Sequence, residues 1–428
     1  MPIPPDQAHV DSARAHVEQA AIDLQETPDL PLQPVAITTP DAFDRALSTA
    51  VAGAVLTLAP TFRYPGPVTL RVPVTLQAAA VPPGRLAADV LLPTFLMGLG
   101  VPSDLVTLTG IEVRNSNTAT DIVTIAGATV VVDRCRILGD PVKGGKRGIN
   151  FTGTTGQILR CVVDDIFRLD QDTQAIYSDH MGGGLTISDC SLRAAGETIM
   201  FGGADCPQDR IPRGIRIRGC TLTKNPAWTV LLAPGKHAQF VKNALELKNA
   251  IDVIVEDCLF EYAGSSGQQG AFLIVLTPRN QGGTAPWSTV QDVIIRRCTG
   301  RFASGAISLL GDDNLHPSGR LTNVTFENLT FTDLDGPTYG GMGRIVYLNR
   351  APDLVTINGL TASGTNLKSI VYFDETKPPT RLTLRNFKVP AGTRYPYHNL
   401  VGDTLASVQT YAPDAVLAIT AGDTGAAA

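Results

Sequence analysis

Several features are scarce in this chain of 428 residues. Aromatic residues make up 6%, with two tryptophans, whereas 41 glycines and 30 prolines are spread along it. That balance disfavours helix bundles and suits many short strands joined by turns. No long run of Lys or Arg occurs, and the formal net charge is −5. A nucleic-acid surface, which draws its affinity from clustered cations, is therefore not expected. The most apolar window, ALSTAVAGAVLTLAP at 46–60, is too short and too rich in small and hydroxyl residues to cross a bilayer. The first thirty residues hold no basic stretch followed by an apolar core, so no secretory signal is read. The seven cysteines include no CxxC pair, and no metal ligands are assigned. FGGAD and MGGGL are rich in glycine, but neither precedes the helix that a phosphate loop requires.

What is present is a repeat. VTLTGIEV from Val106, VVVDRCRI from Val130, GQILRCVV from Gly156, LTISDCSL from Leu185, IRIRGCTL from Ile215 and VIVEDCLF from Val253 share one apolar alternation. VIIRRCTG from Val293, VTFENLTF from Val324, VTINGLTA from Val355 and LTLRNFKV from Leu382 continue it. The sixth column reads Ile111, Cys135, Cys161, Cys190, Cys220, Cys258, Cys298, Leu329, Leu360 and Phe387. A column that passes from Ile through six cysteines to Leu and Phe is a buried apolar position, since free cysteine packs as a small hydrophobe. The cysteines are read as packing, and Cys206 lies outside the column. Each copy carries a second apolar strand, such as RGINFTG, QAIYSDH, ETIMFGG, ALELKN, AFLIVLTPRN, GAISLLGDDN, RIVYLNR and SIVYFDE. Short strands alternating with turns at a period near thirty describe stacked parallel coils, an all-β right-handed parallel β-helix. A β-propeller would need four strands per blade.

A solenoid must cap its ends. TPDAFDRALSTAV at 39–51 predicts a capping helix, with Thr39 as N-cap, Pro40 in the first turn and Phe43, Ala46, Leu47 and Ala50 on one face. An earlier helix is expected over about 6–26, from Val10, Ala13, Val17, Ala20 and Leu24. The chain thus divides into an N-terminal helical extension (1–35), the capped β-helix (36–395) and a C-terminal cap and tail (396–428).

TPDAFDRAL, AVLTLAP and VTLRVPVTL resemble the start of pectate-lyase-like right-handed β-helix proteins. GGKRGINFTG, DTQAIYSDH, AAGETIMFGGAD, KNALELKNAIDVIVEDCLFEY and LTPRNQGGTAPWS are similar to a bacterial and phage-like branch of that superfamily. The resemblance covers roughly 35–390 and implies the fold. It implies no single activity, because the superfamily holds lyases, hydrolases, epimerases and phage tailspikes. With the N-terminal extension and the lack of a signal, it points to a virion or extracellular, tailspike-like protein.

Residues that follow the second strand of each coil align on one outer face. They are Asp179 and His180, Asp205, Lys248, Arg279, Asp312 and Asp313, Arg350, and Asp374 with Glu375. This mixed charge suits a polymer lying across several coils. The intervals Cys220 to Cys258 and Cys258 to Cys298 are the longest, and extra length in a repeat maps to loops that build binding faces. They hold Trp228 and Trp287, candidate sugar-stacking walls, together with Lys248, Gln269 and Asn280 as further substrate-binding candidates. For hydrolysis, Asp179, Glu197 and Asp205 supply carboxyl candidates. For elimination from a uronic acid, Arg279, Lys248 and His180 supply the cation and base. No cofactor is required, although Asp312 and Asp313 of GDDN offer hard oxygens to Ca²⁺. The expected protein is a structural, polysaccharide-recognising particle component, a homo-oligomer such as a trimer or a binder of other particle proteins. The alternative is a polysaccharide lyase or glycoside hydrolase.

Overall fold

The computed structural model describes residues 35–266, 270–374, 377–389, 395–398 and 405–418. The helix expected over about 6–26, as well as Gln269 and Glu375, lies outside the described residues. The chain divides into two compact units, Met1–Val35 and Ala36–Ala428, and only the second is described further.

Alternating apolar residues place strands in two long sheets. One has 23 strands and the other 12 among the described residues. Successive strands within each sheet pair in parallel, as from 174–178 to 199–201 to 245–247 to 272–276. Each coil therefore contributes to both sheets before the next is laid on top, and the chain forms a parallel β-helix. Crossovers between parallel strands of one sheet strongly favour the right hand. The helix Pro40–Thr49 covers the first coils, with the Thr39 hydroxyl accepting from the Ala42 amide and Phe43 buried against Phe62, Tyr64 and Phe95. Strand Tyr395–His398 pairs with Ser369–Asp374, and strand Val416–Ala418 with Thr380–Lys388, so the last part of the chain still adds to both sheets.

The ten-membered column is a single file in the core. Leu329 pairs with Leu360 and Leu360 with Phe387, while neighbours of the cysteines pair in the same register, Arg136 with Val162 and Ser191 with Thr221. All seven cysteines are free and buried. The Cys161 amide donates to the Cys190 sulfur at 3.4 Å, and the Cys190 amide to the Cys220 sulfur at 3.4 Å. Burial pushes the Cys161 and Cys190 thiols up.

The residue just before each column position has left-handed backbone. These residues are Gly110, Arg134, Arg160, Asp189, Gly219, Asp257, Arg297, Asn328, Gly359 and Asn386, with φ between 48° and 79°. Each bends the chain between two strands of the larger sheet. Gly, Asn and Asp tolerate that conformation best, and where Arg occupies it the side chain is paired, Arg160 with Asp133 and Arg297 with Asp257.

Candidate functional site

The 12-stranded sheet turns one row of each strand inward. Ile176, Ile199, Leu245, Ile274, Ile307, Val346 and Val371 pair in sequence and are buried. The alternate row, Glu246, Val275, Ser308, Tyr347 and Tyr372, therefore faces outward. On it lies a groove of about 660 Å³. Residues at or just before the start of the strands form one wall, with Gly270, Met342 and Arg344. Residues following them form the other, with Arg279, Gln281, Asp313, Asn314, Leu315, His316 and Arg350. The floor includes Val275, Ser308, Leu310 and Tyr347 from three successive coils, and Glu246 and Lys248 close one end.

Gly305 leaves room for the ring of Phe272, which lines the groove. A Cβ there would stand 2.2 Å from the Arg344 carbonyl oxygen and 2.5 Å from the Phe272 ring. The Phe272 ring leans across it to stack on Tyr347 at 5.8 Å, and Tyr347 stacks on Tyr372 at 5.6 Å. The Tyr347 hydroxyl donates to Asp374 and accepts from Asn349 at 3.3 Å.

The wall after the strands is fixed by Asp313, which is 6% exposed. One carboxylate oxygen accepts from Arg279 at 2.8 Å and from the Leu315 amide at 2.9 Å; the other accepts from the Asn280 amide at 2.8 Å. Burial pushes Asp313 up, but those amides and the Arg279 charge outweigh it and hold the carboxyl below the usual aspartate range. Arg279 also donates to Asn314. Asn280 is fully buried, its amide spent on the Pro317 carbonyl and the Ala285 N–H. Asp312 pairs with Arg350 and, at 3.5 Å, with Lys377. The GDDN carboxylates are thus committed to protein donors and do not present the open oxygen set that Ca²⁺ takes. Among the described residues no group of three or more His, Cys, Asp or Glu side chains could hold a metal.

Beneath the closed end lies a buried charge network that sequence reading did not assemble. Glu197, fully buried, accepts from Lys242 at 2.7 Å and from Gln174 at 2.8 Å. Burial alone would raise it, but Lys242 and Lys248 bring it down to about 2. Glu246 is also fully buried, 3.5 Å from Lys248 and hydrogen-bonded to Glu197. Burial and the neighbouring Glu197 raise its carboxyl, against the lowering by Lys248 and Lys242. Lys242 also reaches Asp172 at 3.1 Å. Lys224 is buried with its ammonium on the carbonyls of Ala194 at 3.1 Å, Gly196 at 2.5 Å and Asn243 at 3.0 Å. Desolvation lowers it to about 7, yet three carbonyl acceptors match the three N–H bonds of the charged form.

Of the residues singled out in the sequence, Lys248, Arg279, Asp313 and Arg350 come together in the groove. The others are placed elsewhere. Asp179 bonds the His180 ring at 2.8 Å, and neither lines the groove. Asp205 accepts from the Gly282 and Thr284 amides and the Thr284 hydroxyl, and so pins the loop that carries Trp287. Trp287 is half-buried and donates to the Cys206 carbonyl at 2.8 Å. Trp228 is 7% exposed and packs on Phe167 with ring centroids 5.0 Å apart, which turns its face inward rather than to solvent. Arg344, Tyr347 and Glu246 were missed because they sit inside apolar segments. The signal available was a charge at an outward position of an otherwise apolar strand, as in ALELK and RIVYLNR.

No protein-family model matches the chain, and no curated protein matches it either. Solved structures do. The Dettilon tailspike protein superposes with a TM-score of 0.52 at 13% identity, covering 85% of this chain and 63% of that one. The fold is shared. A tailspike protein from Acinetobacter baumannii bacteriophage Fri1, a capsular polysaccharide depolymerase, gives 0.41 at 13% identity over 87% of this chain and 56% of that chain. An alginate lyase from Paenibacillus sp. gives 0.41 at 16% identity over 78% and 93%. This chain spans less than two thirds of the length of either tailspike.

Proposed function

We propose that the protein recognises a polysaccharide in this groove, as a tailspike-like component of a phage-like particle or an extracellular protein. The observation that carries the reading is the groove itself. It runs across several parallel strands, about 4.8 Å apart, and offers paired Arg and Asp side chains, amides and apolar lips at Leu315 and Met342 along one face. A polymer that lies across successive coils meets a new set of polar groups at each one, with few buried charges to desolvate. The tailspike fold is compatible with this use.

The test is a panel of neutral and acidic polysaccharides, with binding followed alongside new reducing ends and unsaturated sugars. Binding to at least one member, weakened by Arg279→Ala, is expected. Binding by none of a broad panel removes the reading.

A second reading, cleavage of the bound glycan, is favoured by one observation. Hydrolysis needs a carboxyl group that can protonate the glycosidic oxygen, and Glu246, whose carboxyl is raised by burial, lines the closed end of the groove. New reducing ends that vanish in Glu246→Gln would support it; cleavage at the wild-type rate in that variant would remove Glu246 from any catalytic role.

A further inference from the structure

The groove has an uneven charge balance. Four permanent cations line it, Lys248, Arg279, Arg344 and Arg350, against two carboxyl groups, Glu246 and Asp313, in a chain whose formal net charge is −5. Three of the cations are answered by acids: Lys248 by Glu246, Arg279 by Asp313 and Arg350 by Asp312. Arg344 is not. Among the described residues it makes no ion pair. Instead its guanidinium lies 3.5 Å from the centroid of the Tyr372 ring and 5.5 Å from that of Tyr347. Its Nε is buried with no hydrogen-bond partner. Tyr372 holds the guanidinium by ring contact and a hydrogen bond without supplying a countercharge, and a planar guanidinium presents a fork that matches a carboxylate. Arg344 also stands on the wall opposite Asp313.

We propose that Arg344 forms a carboxylate-binding subsite, and that the polysaccharide taken by the groove is therefore acidic, with a uronic acid or another carboxylated sugar lying beside Arg344 along its wall of the groove. This rests on the reading of the groove as the polysaccharide site. Met342, on the same wall and 53% exposed, gives the apolar face of that sugar a place to lie beside the guanidinium.

The experiment uses the full chain and four acidic probes, polygalacturonate, alginate, hyaluronan and polysialic acid, each paired with its carboxyl-reduced form, with dextran and a galactomannan as neutral probes. Affinity is measured for the wild type, Arg344→Gln and Arg344→Lys, with melting curves to establish that each variant is folded. The wild type should bind at least one acidic probe and lose roughly 10- to 100-fold on carboxyl reduction, the range of a charged hydrogen-bonded contact. Arg344→Gln should lose a similar factor on the acidic probe and little more on the reduced one, while Arg344→Lys should recover part of the loss. Equal affinity for acidic and reduced forms, or an Arg344→Gln variant that binds the acidic probe like the wild type, overturns the inference. Binding confined to neutral probes overturns it and leaves the polysaccharide reading standing, whereas binding to no probe overturns both.

Discussion

At the scale of single residues, the buried charges near the groove have opposite effects on stability. Glu197, held down to about 2, contributes stability that is present above its unfolded pKa of about 4.3 and is lost as pH falls through about 2. Glu246, whose folded pKa is raised, behaves in reverse. Its contribution is complete below about 4.3 and declines as pH rises, because the unfolded chain releases a proton that the fold retains. Glu246→Gln keeps a donor toward Glu197 without a titrating group. The variant should gain melting temperature relative to the wild type as pH climbs from 4 to 9, and a constant difference across that range would remove the assignment. Lys224→Met strands three carbonyl oxygens that now share one ammonium. A loss of about 3 kcal/mol or more is expected in urea unfolding.

At the scale of elements, the coil is set by its bend. A left-handed residue precedes each column position, and only Gly, Asn or Asp takes that backbone at low cost. Asn328, with φ 54°, is one such bend. Asn328→Ala should cost about 1 kcal/mol and Asn328→Gly little, in denaturant unfolding. Gly305→Ala acts on the groove instead, because its methyl group would meet backbone at 2.2 Å; both melting temperature and glycan affinity should fall. The column was legible because one face of every strand is buried and repeats a residue type, so the register of Cys135, Leu329 and Phe387 could be read without coordinates. The wall after the strands was legible for a related reason, since Lys248, Arg279, Asp313 and Arg350 follow equivalent strands. The opposite wall was not. Arg344 is the first residue of its strand, and Tyr347 reads as an apolar strand residue until pairing turns it outward. Loop length misdirects in the same way, since the insertion holding Trp228 spends that ring on Phe167.

At the scale of the whole molecule, assembly and binding make separate predictions. The proposed role as a tailspike-like particle component predicts a homo-oligomer, such as a trimer; light scattering that returns the mass of one chain, 45.3 kDa, at every concentration would count against it. Glycan affinity should fall as salt rises, since exposed charges further apart than about 8 Å are screened at physiological ionic strength. Stacked coils touch only their neighbours, so unfolding can advance from an end one coil at a time. In a Cys206→Ser variant, which removes the one cysteine outside the column, the six column cysteines mark six successive coils, each with a single thiol buried while the coil is closed. Pulsed alkylation during unfolding, read by mass, therefore turns the column into a ruler: each added label reports one more opened coil, and the peptide that carries it tells from which end the opening came.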